Sequence, residues 1–167
     1  MVEFNTRKFS KILVAIDGSE PSMEAADYAI VVAKQYDAAL VALHVLSGEI
    51  RYREELVGLS ANTDVSSPPP ATIPIKGTIE LSRWEAEENW FSKIRKNARE
   101  NGIANFSSDV VVANNSVVAE IVSYAENNNI DLIVIGTRGR SGFKKLLLGS
   151  VASGVVTYAH CPVLVIK

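Results

Sequence analysis

The sequence predicts an α/β fold, a doubly wound five-stranded parallel sheet with helices on both faces. Short, nearly continuous apolar runs alternate with segments whose apolar residues recur at helical spacing. Apolar runs of this kind are typical of strands that are buried on both faces of a sheet. The chain has 167 residues, of which 47% are hydrophobic and 22% charged. These values fit one globular domain over residues 1–167.

Five apolar runs are predicted strands, and four of the segments between them are predicted helices. The strands are expected at residues 11–16, 38–46, 107–113, 130–136 and 162–167. The helices are expected at about 22–36, 78–101, 117–127 and 151–160. Either Ser22, or Ser19 with Pro21 just inside the helix, is a suitable N-cap for the first helix. Gly102 is a natural stop for the second helix.

The second predicted helix carries an apolar stripe that is expected to face the core. The stripe contains Leu81, Trp84, Phe91, Ile94 and Ala98. Trp90 lies outside this stripe, so it is expected to be exposed and available to a partner surface.

The stretch at about residues 47–77 interrupts the alternation of strands and helices. Pro68, Pro69 and Pro70 exclude a helix there and favour an extended path. A connection of this length is unusual within a compact domain and is either functional or mobile. We interpret it as a loop insertion within the single domain.

Charge and composition narrow the possible functions. The 17 basic and 19 acidic residues give a net charge of -2, whereas nucleic-acid binding usually needs a basic patch. No apolar run reaches the ~18–20 residues of a membrane-spanning helix, and the opening MVEFNTRKFSK has no apolar segment like that of a signal peptide. The one cysteine cannot form an internal disulfide, which favours a reducing compartment. We expect a cytoplasmic protein with neither nucleic acid nor membrane as a partner.

The loop GTRGRSGFKKLLLGS directly follows the fourth strand and is a candidate phosphate site. Gly136, Gly139 and Gly149 permit tight turns and let backbone N–H groups approach an anion. Ser150 stands where the last helix is expected to begin, and helix N-termini favour phosphate. Arg138 is one of four basic residues in this loop. The alternative is a glycine-rich turn with a solvated basic rim, in which Ser150 is only an N-cap.

Asp17 directly follows the first predicted strand, in the sequence AIDGSEPS. The carboxyl ends of strands form the edge at which open α/β sheets bind ligands. If the first and fourth strands are neighbours, the Asp17 carboxylate faces the glycine-rich loop. It can then accept from ribose hydroxyls or help to hold a divalent cation. The alternative is that Asp17 only shapes the turn, because Asp-Gly is common turn chemistry.

These residues together resemble the universal stress protein family, in the branch with the ATP-binding motif G-x2-G-x9-G-[ST]. Gly136, Gly139, Gly149 and Ser150 match the motif in full. KILVAIDGSEPS, LHV and CPVLVIK are similar to the family's first strand and turn, second strand end and terminal strand. The resemblance implies an adenine nucleotide alpha hydrolase-like fold with strand order 3-2-1-4-5.

The resemblance also implies where a nucleotide would bind. The backbone of Ala15 and Ile16 would lie near the adenine, Asp17 near the ribose, Val45 on the adenine face, Ile135 beneath the nucleotide and Gly136 at the start of the loop around it. Gly139, Gly149, Ser150 and Val151 would donate to the phosphates, beside Arg138. The expected ligand is ATP, or ADP or AMP, with Mg²⁺ or Mn²⁺. An apolar C-terminal edge strand also needs cover, so we expect a homodimer through residues 162–167, as is common in the family.

The leading hypothesis is an ATP-binding stress-response or signalling protein whose nucleotide state alters its conformation or partners. Hydrolysis is expected to be slow at most, because no residue is an obvious general base aimed at a γ-phosphate. One alternative is a binding module for another small molecule or a protein, with residues 47–77 as an arm. The other is a nucleotidyl or phosphoryl transferase, although neither His44 nor His160 begins an HxGH signature. We interpret both histidines as structural and Cys161 as a small buried apolar residue.

Overall fold

A computed structural model of the protein describes residues 9–47, 75–137 and 148–167, with the side chains of residues 75–79 excepted. The strands are β1 (Lys11–Ala15), β2 (Ala39–Leu46), β3 (Phe106–Val112), β4 (Leu132–Gly136) and β5 (Val163–Ile166). The helices are α1 (Glu20–Tyr36), α2 (Ile75–Ala86), α3 (Ser92–Glu100), α4 (Val117–Asn127) and α5 (Ser150–Tyr158), and a π-helical turn at Glu87–Phe91 joins α2 to α3. The strands form one sheet in the order β3-β2-β1-β4-β5, and every pairing is parallel. The predicted fold class and strand order are therefore confirmed.

Each face of the sheet is covered by helices. Successive side chains of a strand point to opposite faces, so Ile12 and Val14 pack with α1 and with the α2–α3 region on one face. Leu13, between them, packs with α4 and α5 on the other. The central strands are buried on both sides because each has a hydrophobic cluster above it and another below it. That burial explains their nearly continuous apolar sequences.

Local signals place the helix ends. Ser19 is the N-cap of α1: its Oγ accepts a hydrogen bond from the Ser22 N–H at 3.3 Å, and Pro21 lies in the first turn. The helix therefore begins at Glu20, whereas a helix with Ser22 as its N-cap would begin later. Gly102 follows α3 with a φ of +83°, a conformation that glycine adopts without a Cβ penalty. The prediction of residues 117–127 as a helix is confirmed without change.

The π-helical turn changes which side of the long helical segment faces the core. Phe91, Ile94 and Ala98 are buried as predicted, but Leu81 is 57% exposed and Trp84 is 63% exposed. The Ser92 N–H bonds to the Glu87 carbonyl, five residues back, and so adds one residue to the turn. One residue rotates an α-helix by about 100°. The predicted stripe is therefore wrong for Leu81 and Trp84.

The same turn corrects two neighbouring positions. Ala86, which was outside the predicted stripe, is almost completely buried. Trp90, which was expected to be exposed, is half-buried and packs against the core. A constant helical period gives the wrong face at both positions because the turn contains an extra residue.

Arg95 ties the π-helical turn to the edge strand β3. Its guanidinium bonds to both carboxylate oxygens of Glu87 and donates to Ser108 Oγ at 3.1 Å. The same group lies 5.5 Å from the centre of the Phe106 ring. The hydrogen bond from Arg95 holds the pKa of the Glu87 carboxyl below its usual value. The hydrogen bond to Ser108 and the contact with the Phe106 ring connect the long helical segment to the edge of the sheet.

Residues 48–74, most of the predicted insertion, lie outside the described residues. On either side of this gap, Ser47 follows β2 and α2 begins at Ile75, three residues before the expected start at Thr78. Over the described ranges, no helix is both long enough and apolar enough to cross a bilayer.

Candidate functional site

A cleft of about 500 Å³ opens at the carboxyl edge of the sheet, where β1 lies beside β4. Successive strands are added to the sheet in one direction from β1 to β3 and in the opposite direction from β4 to β5, so the topological switch point lies between β1 and β4. Open α/β sheets bind ligands at such a switch point. The volume falls within the ~300–1,000 Å³ that small-molecule sites occupy. The described residues that line the cleft are Ala15, Ile16, Asp17, Ser22, Leu43, Val45, Ser47, Val117, Ile121, Ile135, Gly136, Thr137, Gly149, Ser150, Val151 and Ala152.

All the predicted site residues that the structure describes line this one cleft. They are Ala15, Ile16, Asp17, Val45, Ile135, Gly136, Gly149, Ser150 and Val151. The remaining two, Arg138 and Gly139, lie outside the described residues. Segments more than 100 residues apart in the sequence are thus brought to one edge of the sheet.

Asp17 is part of a closely hydrogen-bonded turn between β1 and α1. Its Oδ1 accepts from the Ser19 N–H at 3.0 Å and from the Ser19 hydroxyl at 2.6 Å. The Ser22 hydroxyl donates to the Ser19 carbonyl at 2.8 Å and accepts from the Asp17 N–H at 3.4 Å. Asp17 therefore does shape its turn, and the same residue lines the cleft.

The N-terminus of α5 forms another part of the cleft wall. Gly149 is the N-cap, with φ -67° and ψ 159°, and Ser150 is the first helical residue. The alternative in which Ser150 is the N-cap is therefore wrong, and its hydroxyl is not needed for that role. The first N–H groups of an α-helix have no acceptor within the helix and carry the positive end of its dipole. Ser150 and Val151 bring such groups to the cleft.

One backbone hydrogen bond connects the ends of the glycine-rich loop, and a second joins its first end to β5. The Gly149 N–H donates to the Thr137 carbonyl at 2.7 Å, and the Thr137 N–H donates to the Ile166 carbonyl at 2.6 Å. The first bond brings the end of β4 and the start of α5 together across residues 138–147, which lie outside the described residues. The same bond gives the Gly149 N–H an acceptor within the protein.

Gly136 has a packing role that its place in the motif did not indicate. A Cβ at this position would lie 2.8 Å from both the backbone carbon and the carbonyl oxygen of Pro21. The start of α1 therefore lies directly against the end of β4, and only glycine leaves room for it. This contact explains Gly136 without reference to an anion.

One side of the cleft wall is apolar. Leu43 and Val45 point to the same face of β2, and Val117 and Ile121 lie one turn apart on α4. Ile135 of β4 completes this wall. An apolar surface of this kind suits an aromatic base better than a charged group.

Sequence reasoning missed several lining residues. They are Ser22, Leu43, Ser47, Val117, Ile121, Thr137 and Ala152. Period-two alternation from Val45 would have found Leu43, and helical spacing from Val117 would have found Ile121. No local signal brings α4 to this cleft, because its position depends on packing against β2 and α5.

The residues set aside in the sequence have structural contacts. His44 is 8% exposed, and its Nδ1–H donates to the Ile16 carbonyl at 2.6 Å. His160 Nε2 lies 3.1 Å from the Ile130 carbonyl oxygen. Cys161 is half-buried and packs against the α4–α5 side of the sheet. Among the described residues, no three His, Cys, Asp or Glu side chains are grouped so that they could hold a metal ion.

Fold and cleft together define a doubly wound α/β protein with a cleft at the switch point of its sheet. The chain belongs to the universal stress protein family, whose model matches residues 8–167. It is 38% identical over 165 residues to universal stress protein MJ0531 of Methanocaldococcus jannaschii, with 95% of this chain and 82% of that protein covered. It is 35% identical over 160 residues to universal stress protein YxiE of Bacillus subtilis, with 95% and 99% covered.

Solved structures share the fold. Universal stress protein UspA of Lactobacillus plantarum has a TM-score of 0.74 at 23% identity, over 96% of this chain and 99% of that one. A universal stress protein in complex with cAMP has a TM-score of 0.61 at 21% identity, over 96% and 98%. The universal stress protein of Archaeoglobus fulgidus in complex with dAMP has a TM-score of 0.62 at 22% identity, over 96% and 100%.

Proposed function

We propose that the cleft binds an adenine nucleotide, ATP in particular, and that the nucleotide state alters the conformation or partners of a cytoplasmic stress-response or signalling protein. One observation carries this proposal. An apolar wall, a carboxylate held in a fixed turn and a helix N-terminus converge on one cleft at the switch point. These three environments correspond to the three chemical parts of a nucleotide, namely base, ribose and phosphate.

Each part of the nucleotide has a specified contact in this proposal. The base packs against Val45 and Ile135, with the backbone of Ala15 and Ile16 at its edge. The ribose hydroxyls donate to the Asp17 carboxylate, which accepts hydrogen bonds readily because it is charged.

The phosphates bind at the α5 N-terminus. Their donors are the backbone N–H groups of Ser150 and Val151 and the Ser150 hydroxyl. The Gly149 amide already bonds to Thr137, so Gly149 contributes the shape of the cap. Arg138 and Gly139 stay in the proposal as residues of the loop around the phosphates.

The ligands of two proteins with this fold support the class of ligand. One was solved with cAMP and the other with dAMP, and both ligands are adenine nucleotides. A divalent cation, Mg²⁺ or Mn²⁺, would arrive with the phosphates of ATP and could take Asp17 as an oxygen ligand. Hydrolysis would be slow at most, since Asp17 has the only titratable side chain among the described lining residues, and this proposal places its carboxylate at the ribose.

The first experiment identifies any nucleotide released when the purified protein is denatured, by chromatography and mass spectrometry. Calorimetric titration of the stripped protein with Mg-ATP then gives the affinity. Asp17→Asn and Ser150→Ala should each weaken binding by roughly tenfold, the value of a hydrogen bond to a charged group. Ser153→Ala is the matched control, because Ser153 is exposed one turn further along the same helix. No released nucleotide and no binding at millimolar Mg-ATP would overturn the proposal.

We also propose a homodimer through residues 162–167. The edge strand β5 carries Val163, Leu164 and Val165, all partly exposed, and its outer backbone groups face away from β4. An apolar edge strand of this kind promotes association unless it is covered. Light scattering at micromolar concentration should give the mass of two chains, and a monomeric mass would contradict the proposal.

A further inference from the structure

The Trp90 side chain lies directly behind the turn that carries Asp17. A Cβ placed on Gly18 would lie 2.3 Å from Trp90 Cζ2 and 2.4 Å from Cε2, so the indole packs against the Gly18 Cα. Gly18 has a φ of +79°, which by itself disfavours a side chain at this position. The turn and the indole are therefore packed against each other without a gap.

His44 contacts the same turn and the same indole. Its Nδ1–H donates to the carbonyl of Ile16, the residue before Asp17, at 2.6 Å. Its ring centre lies 5.0 Å from that of Trp90, at an interplanar angle of 67°. Trp90 and His44 thus contact the backbone on both sides of Asp17. Both residues are absent from the described wall of the cleft, so they reach a ligand only through the turn.

The π-helical turn explains why Trp90 is in this position. The extra residue between Glu87 and Ser92 turns the indole toward the sheet, whereas Trp84 of the same helical segment remains 63% exposed. Turns of this kind are uncommon and occur frequently at functional sites. Here the π-helical turn, through Trp90, connects the helical segment that begins at Ile75 to the β1–α1 turn that carries Asp17.

We infer that Trp90 is a positioning residue for ligand binding: it holds the Asp17 carboxylate where the ribose hydroxyls of a bound nucleotide meet it. This inference rests on the proposed function of the cleft. Without the indole, the glycine turn gains conformations, since glycine has the widest backbone freedom of any residue. The carboxylate is then placed correctly for a smaller fraction of the time, and binding weakens in proportion to that fraction.

The test compares two tryptophans of one helical segment. Calorimetric titration with Mg-ATP should show binding weakened by roughly tenfold in Trp90→Leu, as when a hydrogen bond to a charged group is lost. Trp84→Leu is the matched control and should change the affinity by less than about twofold. Trp90→Phe retains a smaller ring and should fall between them. If circular dichroism shows that Trp90→Leu does not fold, Trp90→Phe takes its place in the comparison with Trp84→Leu.

A double-mutant cycle with Asp17→Asn separates positioning from a purely structural role. Asparagine retains an acceptor oxygen for the turn but removes the charge. If Trp90 acts through Asp17, Trp90→Leu should weaken binding by less than about twofold when Asp17→Asn is already present, because coupled residues are not additive. A purely structural role would weaken binding by the same factor in both backgrounds.

Fluorescence supplies a second readout. In the Trp84→Phe protein, the remaining Trp90 emission should shift on addition of Mg-ATP, whereas Trp84 emission in the Trp90→Phe protein should not. Equal affinities of Trp90→Leu and Trp84→Leu, or additive effects in the cycle, would overturn the inference while the proposed function stands. Absence of Mg-ATP binding to the unmodified protein would overturn both.

Discussion

Gly136→Ala is the sharpest test of how the end of β4 is built. The added Cβ would lie 2.8 Å from the backbone carbon and oxygen of Pro21 and 3.1 Å from its Cβ. Backbone atoms cannot rotate away as the end of a long side chain can. The first turn of α1 must therefore move as a unit, and Ser22, which lines the cleft, must move with it.

The expected loss of stability follows from two opposing effects. A methyl group forced into a packed site costs about 1–3 kcal/mol. Alanine also restricts the unfolded chain, which stabilises the folded protein by about 0.4–1 kcal/mol where the native conformation is compatible. Gly136 is not one of the described glycines with positive φ, so this gain applies. The net expectation is a loss of about 1–2 kcal/mol in the free energy of unfolding.

Urea denaturation followed by circular dichroism measures this loss, and the same samples titrated with Mg-ATP should show lower affinity. Gly154→Ala is the matched control, because the three atoms nearest to its Cβ all belong to the Val118 side chain, the first at 2.7 Å, and none is backbone. Its cost is also offset by the better helix propensity of alanine, worth about 1 kcal/mol. We therefore expect a smaller loss than for Gly136→Ala.

The reasoning fails if Gly136→Ala is as stable as the unmodified protein. The contact with Pro21 would then yield easily. If stability falls while Mg-ATP affinity is unchanged, the start of α1 moves without affecting the cleft. The packing argument would survive that result, and the link to binding would not.

Three further predictions concern the helical segment beside the sheet. Phe91→Ala should lower the unfolding free energy by about 3–5 kcal/mol, whereas Leu81→Ala, at a position 57% exposed, should change it by less than about 0.5 kcal/mol. If urea denaturation gives similar losses for the two variants, the rotation by the π-helical turn is refuted. Gly102→Ala should destabilise by about 1–2 kcal/mol, and Gly102→Asn should recover part of this loss because asparagine tolerates positive φ; equal stability of the two variants in thermal melts would contradict a backbone cause. The Arg95 guanidinium lowers the pKa of Glu87, so their ion pair stabilises the protein above pH of about 4.5 and less as pH falls through the folded pKa. Because both side chains are more than a third exposed, Glu87→Gln should cost at most about 1 kcal/mol at pH 7 and progressively less as the pH falls below about 4.5. A cost that does not change with pH, measured with urea, would remove the electrostatic explanation.

Much of the fold was predictable from local pattern. Nearly continuous apolar runs identify strands that are buried on both faces, and β1, β2 and β4 are such strands. Ser19 with Pro21, and Gly102 after α3, are capping signals that act within a few residues of the chain. The strand order came from the family resemblance, and the sheet confirms it.

The candidate site was predictable to the extent that it depends on the ends of strands. Asp17 follows β1 and Gly136 ends β4, so a parallel sheet brings both to the same edge whatever else surrounds them. Leu43, Val117 and Ile121 complete the cleft, and α4 supplies two of them. The place of α4 depends on long-range packing, for which a single sequence has no local signal.

The sequence by itself therefore determined the strands of the sheet, the end of α3 at Gly102 and the edge at which the cleft opens, because each of these depends on residues that are near one another in the chain or on strand ends. Only the tertiary structure decided which side of the long helical segment is buried. The π-helical turn gives up regular helical bonding, and the burial of Phe91 and the contact of Trp90 with Gly18 and His44 compensate for it. Trp90 is more than 40 positions from both Gly18 and His44, and contacts over such separations cannot be predicted from the local spacing of apolar residues.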